Sequence, residues 1–190
     1  EPGKTGLGNL GNTCFMNSAL QCLSAAAPLT DYFLSNTYQS HLNPENPLSK
    51  KGEVANEYAN LLRELWSDQT FAAEPRDLKR VIERYAPQFG GYHQHDSQEL
   101  IAFLLDGLHE DLNQVKKKEY FETPNSDGHE DAELAALSWA GYQKRDKSKI
   151  VELFQGQLKS KVTCPDCKQV SITFDPVMYW SLPIPVDTRK

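Results

Sequence analysis

No stretch of this chain is long and apolar enough to cross a membrane. A span needs about 20 such residues, and the longest candidate, "LIAFLL" from Leu100 to Leu105, has only the length of a helix core. Positive charge is also in short supply, with 20 Lys and Arg against 26 Asp and Glu and a net charge of −6. That balance argues against nucleic acid and anionic membrane as partners. Cysteine is sparse: Cys14, Cys22, Cys164 and Cys167 in 190 residues. This is not the density of a disulfide-stapled secreted domain, so reduced thiols and a cytoplasmic or nuclear location are expected. The opening "EPGKTG" carries no apolar signal-peptide core. Internal repeats and low-complexity tracts are absent. Both ends look cut: Glu1 starts just ahead of a Gly/Asn loop, and "SLPIPVDTRK" reads as a strand that stops at Lys190 without a partner. A fragment of a larger catalytic unit is the expectation.

What is present is an ordinary globular composition, 39% hydrophobic and 24% charged. Apolar residues recur at helical spacing over residues 14–27 (Phe15, Met16, Ala19, Leu20, Leu23), and Pro28 is read as the end of that helix. Residues 28–52 read as mixed and turn-rich. Further helices are expected over 53–66, from Pro75 to Tyr85, and over 97–112. Residues 113–131 read as a charged, mobile loop. A last helix is expected over 132–145, packing Leu134, Leu137 and Trp139. After Lys149 the apolar period changes to two, in "IVELFQGQLKSKVTC" and "QVSITFDPVMYWSLPI", which reads as strands. Helices first and strands last make the fold class α+β. The partition this predicts is 1–145 helical and 146–190 β.

The stretch "LGNLGNTCFMNSALQCL", Leu7 to Leu23, places a thiol where a Gly/Asn loop becomes a helix. Asn12 and Thr13 suit the N-cap, which puts Cys14 in the first turn. Unpaired N–H groups and the helix dipole there favour a thiolate over a thiol. Asn9 lies five residues before the thiol and can offer its amide to a developing oxyanion beside the Cys14 N–H. This is how a cysteine hydrolase builds its nucleophile. A buried, inert cysteine suits the same position, and spacing alone leaves both open. Cys22, in mid-helix without a glycine loop, reads as structural. A nucleophilic thiol needs a base, yet none of His41, His93, His95, His109 and His129 has a privileged spacing.

In "GYHQHDSQELIAFLLDGLHEDL", Asp96 followed by Glu99 is a capping pattern. The same carboxylates can receive a basic partner chain. In "VTCPDCKQVSITF", Cys164 and Cys167 form a C-x-x-C between two strand patterns, which fits a zinc knuckle in a β-ribbon better than a redox motif. Structural zinc wants four ligands, and this motif supplies two.

Together these stretches resemble the ubiquitin-specific proteases, the papain-like deubiquitinases. "GLGNLGNTCFMNSALQCL" looks like their cysteine box and "GYHQHDSQELIAFLLDGLHEDL" like their glutamine box. "CPDC" with "VSITFDPVMYWSLPIP" looks like the first half of their fingers zinc ribbon, running into the palm. Three motifs in order are more specific than any one, and they cover nearly the whole chain. The likeness is greatest to members with a DUSP domain and a ubiquitin-like domain ahead of the catalytic domain, in which a long insertion follows this "LPIP" strand.

The resemblance implies a papain-like cysteine protease fold, incomplete here: a helical thumb over 1–145, and over 146–190 the first finger and palm strands. It implies Cys14 as nucleophile, Asn9 in the oxyanion hole, and Asp96, Gln98 and Glu99 where the ubiquitin C-terminal tail and its arginines enter. Cys164 and Cys167 would be two of the four ligands of a structural Zn2+. The family's histidine box and second C-x-x-C have no counterpart in these residues. The implied activity is therefore hydrolysis of the bond at the C-terminal Gly of ubiquitin, completed by a second polypeptide carrying the catalytic His. The alternatives are a non-catalytic ubiquitin-binding module and a protease for another ubiquitin-like modifier.

Overall fold

The apolar stripes of the sequence become helices packed face to face. In this computed structural model, which describes residues 3–68, 71–122, 124 and 129–183, the chain forms two compact units. One is Glu1–Lys118 with Asp146–Leu153, and the other is Glu119–Arg145 with Phe154–Lys190. The segment 119–145 thus clusters with the strands. The architecture is mixed helix and strand, α+β, as expected.

The first unit opens with β1 (Gly6–Leu7), followed by α1 (Cys14–Ser24), α2 (Ala27–Leu34) and α3 (Glu53–Leu65). Next come β2 (Ala72–Ala73), α4 (Arg76–Tyr85) and α5 (Ser97–Asp111). α1 buries the predicted Phe15, Met16, Ala19, Leu20 and Leu23. Pro28, however, does not close a segment and leave mixed chain behind it. It sits in the first turn of α2, where its missing N–H costs nothing. The core is closed by fully buried Leu20, Phe33, Tyr58, Leu62, Leu100, Leu104 and Leu108. The Phe33 ring lies 5.0 Å from Tyr38 and 5.1 Å from Tyr58. Asp111, fully buried at the end of α5, ties α5 to α3. Its Oδ1 accepts from Ser49 Oγ and Lys50 N, both at 2.7 Å, and from Gly52 N at 3.1 Å. Its Oδ2 accepts from Ala55 N at 3.1 Å, capping α3 from a distance where Gly52 has no side chain to do so.

Residues 149–154, expected to begin a strand, are instead helical. α6 (Asp131–Gln143) lies in the second unit, and α7 (Lys149–Phe154) belongs to the first as far as Leu153. In α7 the adjacent Ile150 and Val151 are both buried, which alternation forbids, and Ser148 caps it by accepting Val151 N at 3.2 Å. β3 (Gly156–Thr163) and β4 (Val170–Val177) form an antiparallel ribbon, Gly156 facing Val177 and Thr163 facing Val170. α6 packs against β4. It buries Leu134 but leaves Leu137 41% exposed and Trp139 half-buried, against expectation. The Trp139 ring stacks instead on Tyr142 at 5.5 Å, and the Phe121 ring fills the space beside Gly141. No regular element is found between 113 and 130 among the described residues; part of that predicted loop, and the end of the predicted terminal strand, lie outside them.

Candidate active site around Cys14

The loop before α1 is held from both sides. β1 pairs in parallel with β2, and Gly8 N donates to Ala73 O at 2.9 Å. From the helix side, Asn17 Nδ2 donates to Gly8 O at 3.1 Å. Asn9 then organises the turn: its Oδ1 accepts from Gly11 N (3.0 Å), Thr13 N (3.2 Å) and Thr13 Oγ1 (3.2 Å). Gly11 has φ +99°, a conformation that favours glycine, and a Cβ there would meet the Tyr92 ring at 2.8 Å.

Cys14 is the first residue of α1 and is exposed. Thr13 occupies the cap position but does not cap: its hydroxyl accepts from Leu10 N at 3.0 Å, within the loop. No side chain therefore covers the N–H groups of the first turn, and they stay available beside the thiol. The Asn9 Nδ2 makes no hydrogen bond among the described residues, so it remains a donor.

The second wall of the site is the segment entering α5. Asp96 caps α5, its Oδ1 accepting from Gln98 N at 2.7 Å, as the D-x-x-E pattern implied. Gln98 and Glu99 are exposed in the first turn. Asn12 Nδ2 donates to Tyr92 O at 2.8 Å, so this segment is fastened to the cysteine loop. The thiol's recorded partner is Gln94, not a histidine: Cys14 Sγ donates to Gln94 Oε1 at 3.3 Å. Sequence reasoning passed over Gln94, Tyr92 and Asn17. Asn12 was assigned a cap and fastens a second segment instead. No spacing rule links residues 80 positions apart. Cys22 lies on the exposed side of α1, away from its apolar stripe.

Two of the histidines are engaged elsewhere in the first unit. His41 Nδ1 meets Tyr32 Oη at 2.8 Å. His109 is buried against Ser148 Oγ (2.8 Å) and Asp146 Oδ1 (3.3 Å). His109, Glu110 and Asp146 are the one three-group cluster of potential metal ligands among the described residues. Lys118 Nζ already sits 3.0 Å from Asp146 and 3.4 Å from Glu110, which makes the cluster an ion-pair network.

Cys164 and Cys167 lie in the turn joining β3 to β4, closed by Cys164 N to Gln169 O (2.9 Å) and Lys168 N to Cys164 O (3.1 Å). Lys168 takes φ +61° there. Backbone N–H groups of Cys167 and Asp166, with the Cys167 side chain, hold the Cys164 thiol below its ordinary range. A low-lying thiol beside a second thiol in a knuckle turn fits half of a zinc ligand set.

Comparisons with known proteins identify the family. The family model "UCH: Ubiquitin carboxyl-terminal hydrolase" matches residues 5–184. The chain is 55% identical over 186 residues to ubiquitin carboxyl-terminal hydrolase 4 of Bos taurus, covering 98% of this chain and 19% of that protein. It is 52% identical over 190 residues to ubiquitin carboxyl-terminal hydrolase 15 of Homo sapiens, covering 100% of this chain and 19% of that protein. The chain thus spans about a fifth of the length of these relatives. It is similar in fold to the SAGA Ubp8/Sgf11/Sus1/Sgf73 DUB module bound to ubiquitin aldehyde, with TM-score 0.60, 22% identity, and 93% of this chain against 34% of that one. A match over nearly the whole length, in a chain whose thiol opens a helix behind an Asn-organised loop, shows that it belongs to the ubiquitin carboxyl-terminal hydrolase family.

Proposed function

We propose that this chain carries the nucleophile of a deubiquitinase. The carrying observation is the exposed Cys14 at the uncapped start of α1, behind the Asn9 loop. The reaction is thiol-dependent hydrolysis of the isopeptide or peptide bond at the C-terminal Gly of ubiquitin. The Cys14 thiolate adds to the Gly carbonyl, while the Cys14 N–H and Asn9 Nδ2 receive the oxyanion. The C–N bond then breaks, the leaving amine takes a proton, and a thioester remains. Water adds to the thioester and releases the ubiquitin carboxylate and the thiol. The proton carrier is assigned to a histidine on a complementing C-terminal segment or second polypeptide. The names of the relatives, and a neighbour structure with ubiquitin bound, support ubiquitin as substrate.

Residues 1–145 would serve as thumb and 146–190 as the start of fingers and palm. Asp96, Gln98 and Glu99 would receive the cationic ubiquitin tail: one Asp96 oxygen is used in capping α5, and Glu99 is exposed. Cys164 and Cys167 would supply two of four ligands to a structural zinc, the others coming from the complementing segment. When bound, zinc would cross-link the ribbon turn. All four thiols are free, in keeping with a reducing compartment, cytoplasm or nucleus.

The test is Cys14→Ala in the full-length protein, assayed on a fluorogenic amide of the ubiquitin C-terminus. Loss of at least about 1,000-fold in kcat/KM is expected; hydrolysis near the wild-type rate would sink the assignment. Competition by another Gly-Gly-tailed modifier at equal efficiency would move the substrate away from ubiquitin.

A further inference from the structure

Gln94 touches the thiol, and nothing in the reaction above uses it. It is exposed, between His93 and His95, and its amide has no partner other than Cys14 among the described residues. Its backbone is nonetheless well anchored. On one side Tyr92 is bound through its carbonyl to Asn12 Nδ2, and its ring covers Gly11. On the other, the His95 ring packs edge-on against Phe15 at 5.2 Å and Phe89 at 5.5 Å. One residue further, Asp96 caps α5, and the Ser97 and Ser18 hydroxyls meet at 3.3 Å. The chain is therefore fixed on both sides of an exposed side chain whose amide meets only the thiol among the described residues.

We propose that Gln94 is a positioning residue for the Cys14 nucleophile, serving the thiol through Oε1 and the thiolate through Nε2 after a half-turn of its amide. The inference rests on Cys14 being the nucleophile of the proposed reaction. Its sign follows from the strength of the two bonds. An S–H to carbonyl bond is weak, whereas an amide N–H to a thiolate is charge-assisted and stronger. An amide that can present either end therefore favours the ionised form and keeps it aimed at one place. The ionisable neighbours are differently engaged. His95 faces Phe15 and Phe89, and Asp96 faces the Gln98 N–H. His93 and Glu99 face solvent, and Tyr92 covers Gly11. α1 itself brings no charged side chain.

The experiment is the rate of alkylation of Cys14 by iodoacetamide from pH 6 to 9 in the full-length protein, read by mass spectrometry on the Cys14 peptide. Cys22 shares the Lys4–Lys50 segment with no Lys or Arg between, so fragment ions that localise the label to Cys14 resolve it from Cys22, Cys164 and Cys167. The decisive variant is Gln94→Glu, which keeps the shape and the acceptor but has no N–H to give. It should slow alkylation at pH 7 by about tenfold and move the profile to alkaline pH. Gln94→Ala should slow it by about three- to fivefold. Melting temperatures should be unchanged, because Gln94 is exposed and holds no other group. Profiles that coincide with wild type, or faster alkylation in Gln94→Ala, would overturn the proposal. The readout is independent of substrate. If Gln94 variants shift alkylation while Cys14→Ala leaves ubiquitin hydrolysis intact, the proposed function fails and the Gln94–thiol coupling stands. The reverse pattern condemns only the Gln94 role.

Discussion

Asn9 would, in the proposed reaction, divide one side chain between folding and chemistry. Its oxygen holds Gly11 N, Thr13 N and Thr13 Oγ1, and its nitrogen is left over. Asn9→Asp keeps the acceptor and removes the donor. Ubiquitin-amide hydrolysis should fall about 100-fold, the usual cost of losing one oxyanion donor, while the melting temperature holds. Asn9→Ala should lose both rate and stability. If Asn9→Asp retains wild-type kcat, the nitrogen is not the donor. At this scale the sequence was legible where the geometry is local: loop and helix rules placed Cys14 at a helix start with Asn9 in the loop before it, while the choice of their roles came only from the family resemblance. Gln94 was hidden because it reaches the thiol across 80 residues, through packing of α1 on α5. Thr13 was misread as a cap because its hydroxyl has a loop partner competing for it, Leu10 N.

Among the elements, periodicity located α1, α3, α4 and α5, since each presents an apolar stripe of helical period; α6 is also a helix, but of its expected apolar face only Leu134 is buried. α2 was concealed by reading Pro28 as a stop, although proline equally opens a helix. In α7, β-branched Ile150 and Val151 looked like strand, and the Ser148 cap outweighed that weak preference. What no pattern shows is the polar stitching between elements. Asp111 binds three backbone N–H groups and a hydroxyl from the α3 entry. Asp111→Ala would leave those donors buried and unpaired, so a loss of about 3 kcal/mol is expected by chemical denaturation. A loss below about 0.5 kcal/mol would mean that water replaces the carboxylate freely. The Asp146 network adds a pH dependence. Burial pushes the Asp146 carboxyl up, but hydrogen bonds from His109 and Lys118 and the Lys118 charge outweigh it and hold the group below the usual range. A depressed folded-state value gives stability that is present above the ordinary carboxylate range, near pH 4. That stability fades as the pH falls through the folded value. Lys118→Met should therefore cost about 1 kcal/mol at pH 7 and much less near pH 2. An equal cost at both would assign the effect to packing of the lysine stem.

On the scale of the whole molecule, the proposed zinc site is where this chain would need a complement. Two thiols cannot close a tetrahedral site, and the described residues bring no third ligand to Cys164 and Cys167. The turn's N–H groups, with the Cys167 side chain, already hold the Cys164 thiol below its ordinary range, the direction that the proposed zinc would need. Half a site of this kind should bind weakly alone and firmly once completed. Residues 1–190 alone should retain well under one zinc per chain by elemental analysis. Co-expression with the C-terminal remainder of the catalytic domain should raise this to about one and increase thermal stability together with it. Cys167→Ser should abolish both gains. Cys14 alkylation should remain, because Cys14 belongs to the other compact unit. Acid should reverse the loading, since protons compete for the same sulfurs. A full equivalent held by residues 1–190 alone would refute the shared site and require the missing ligands to lie within this chain.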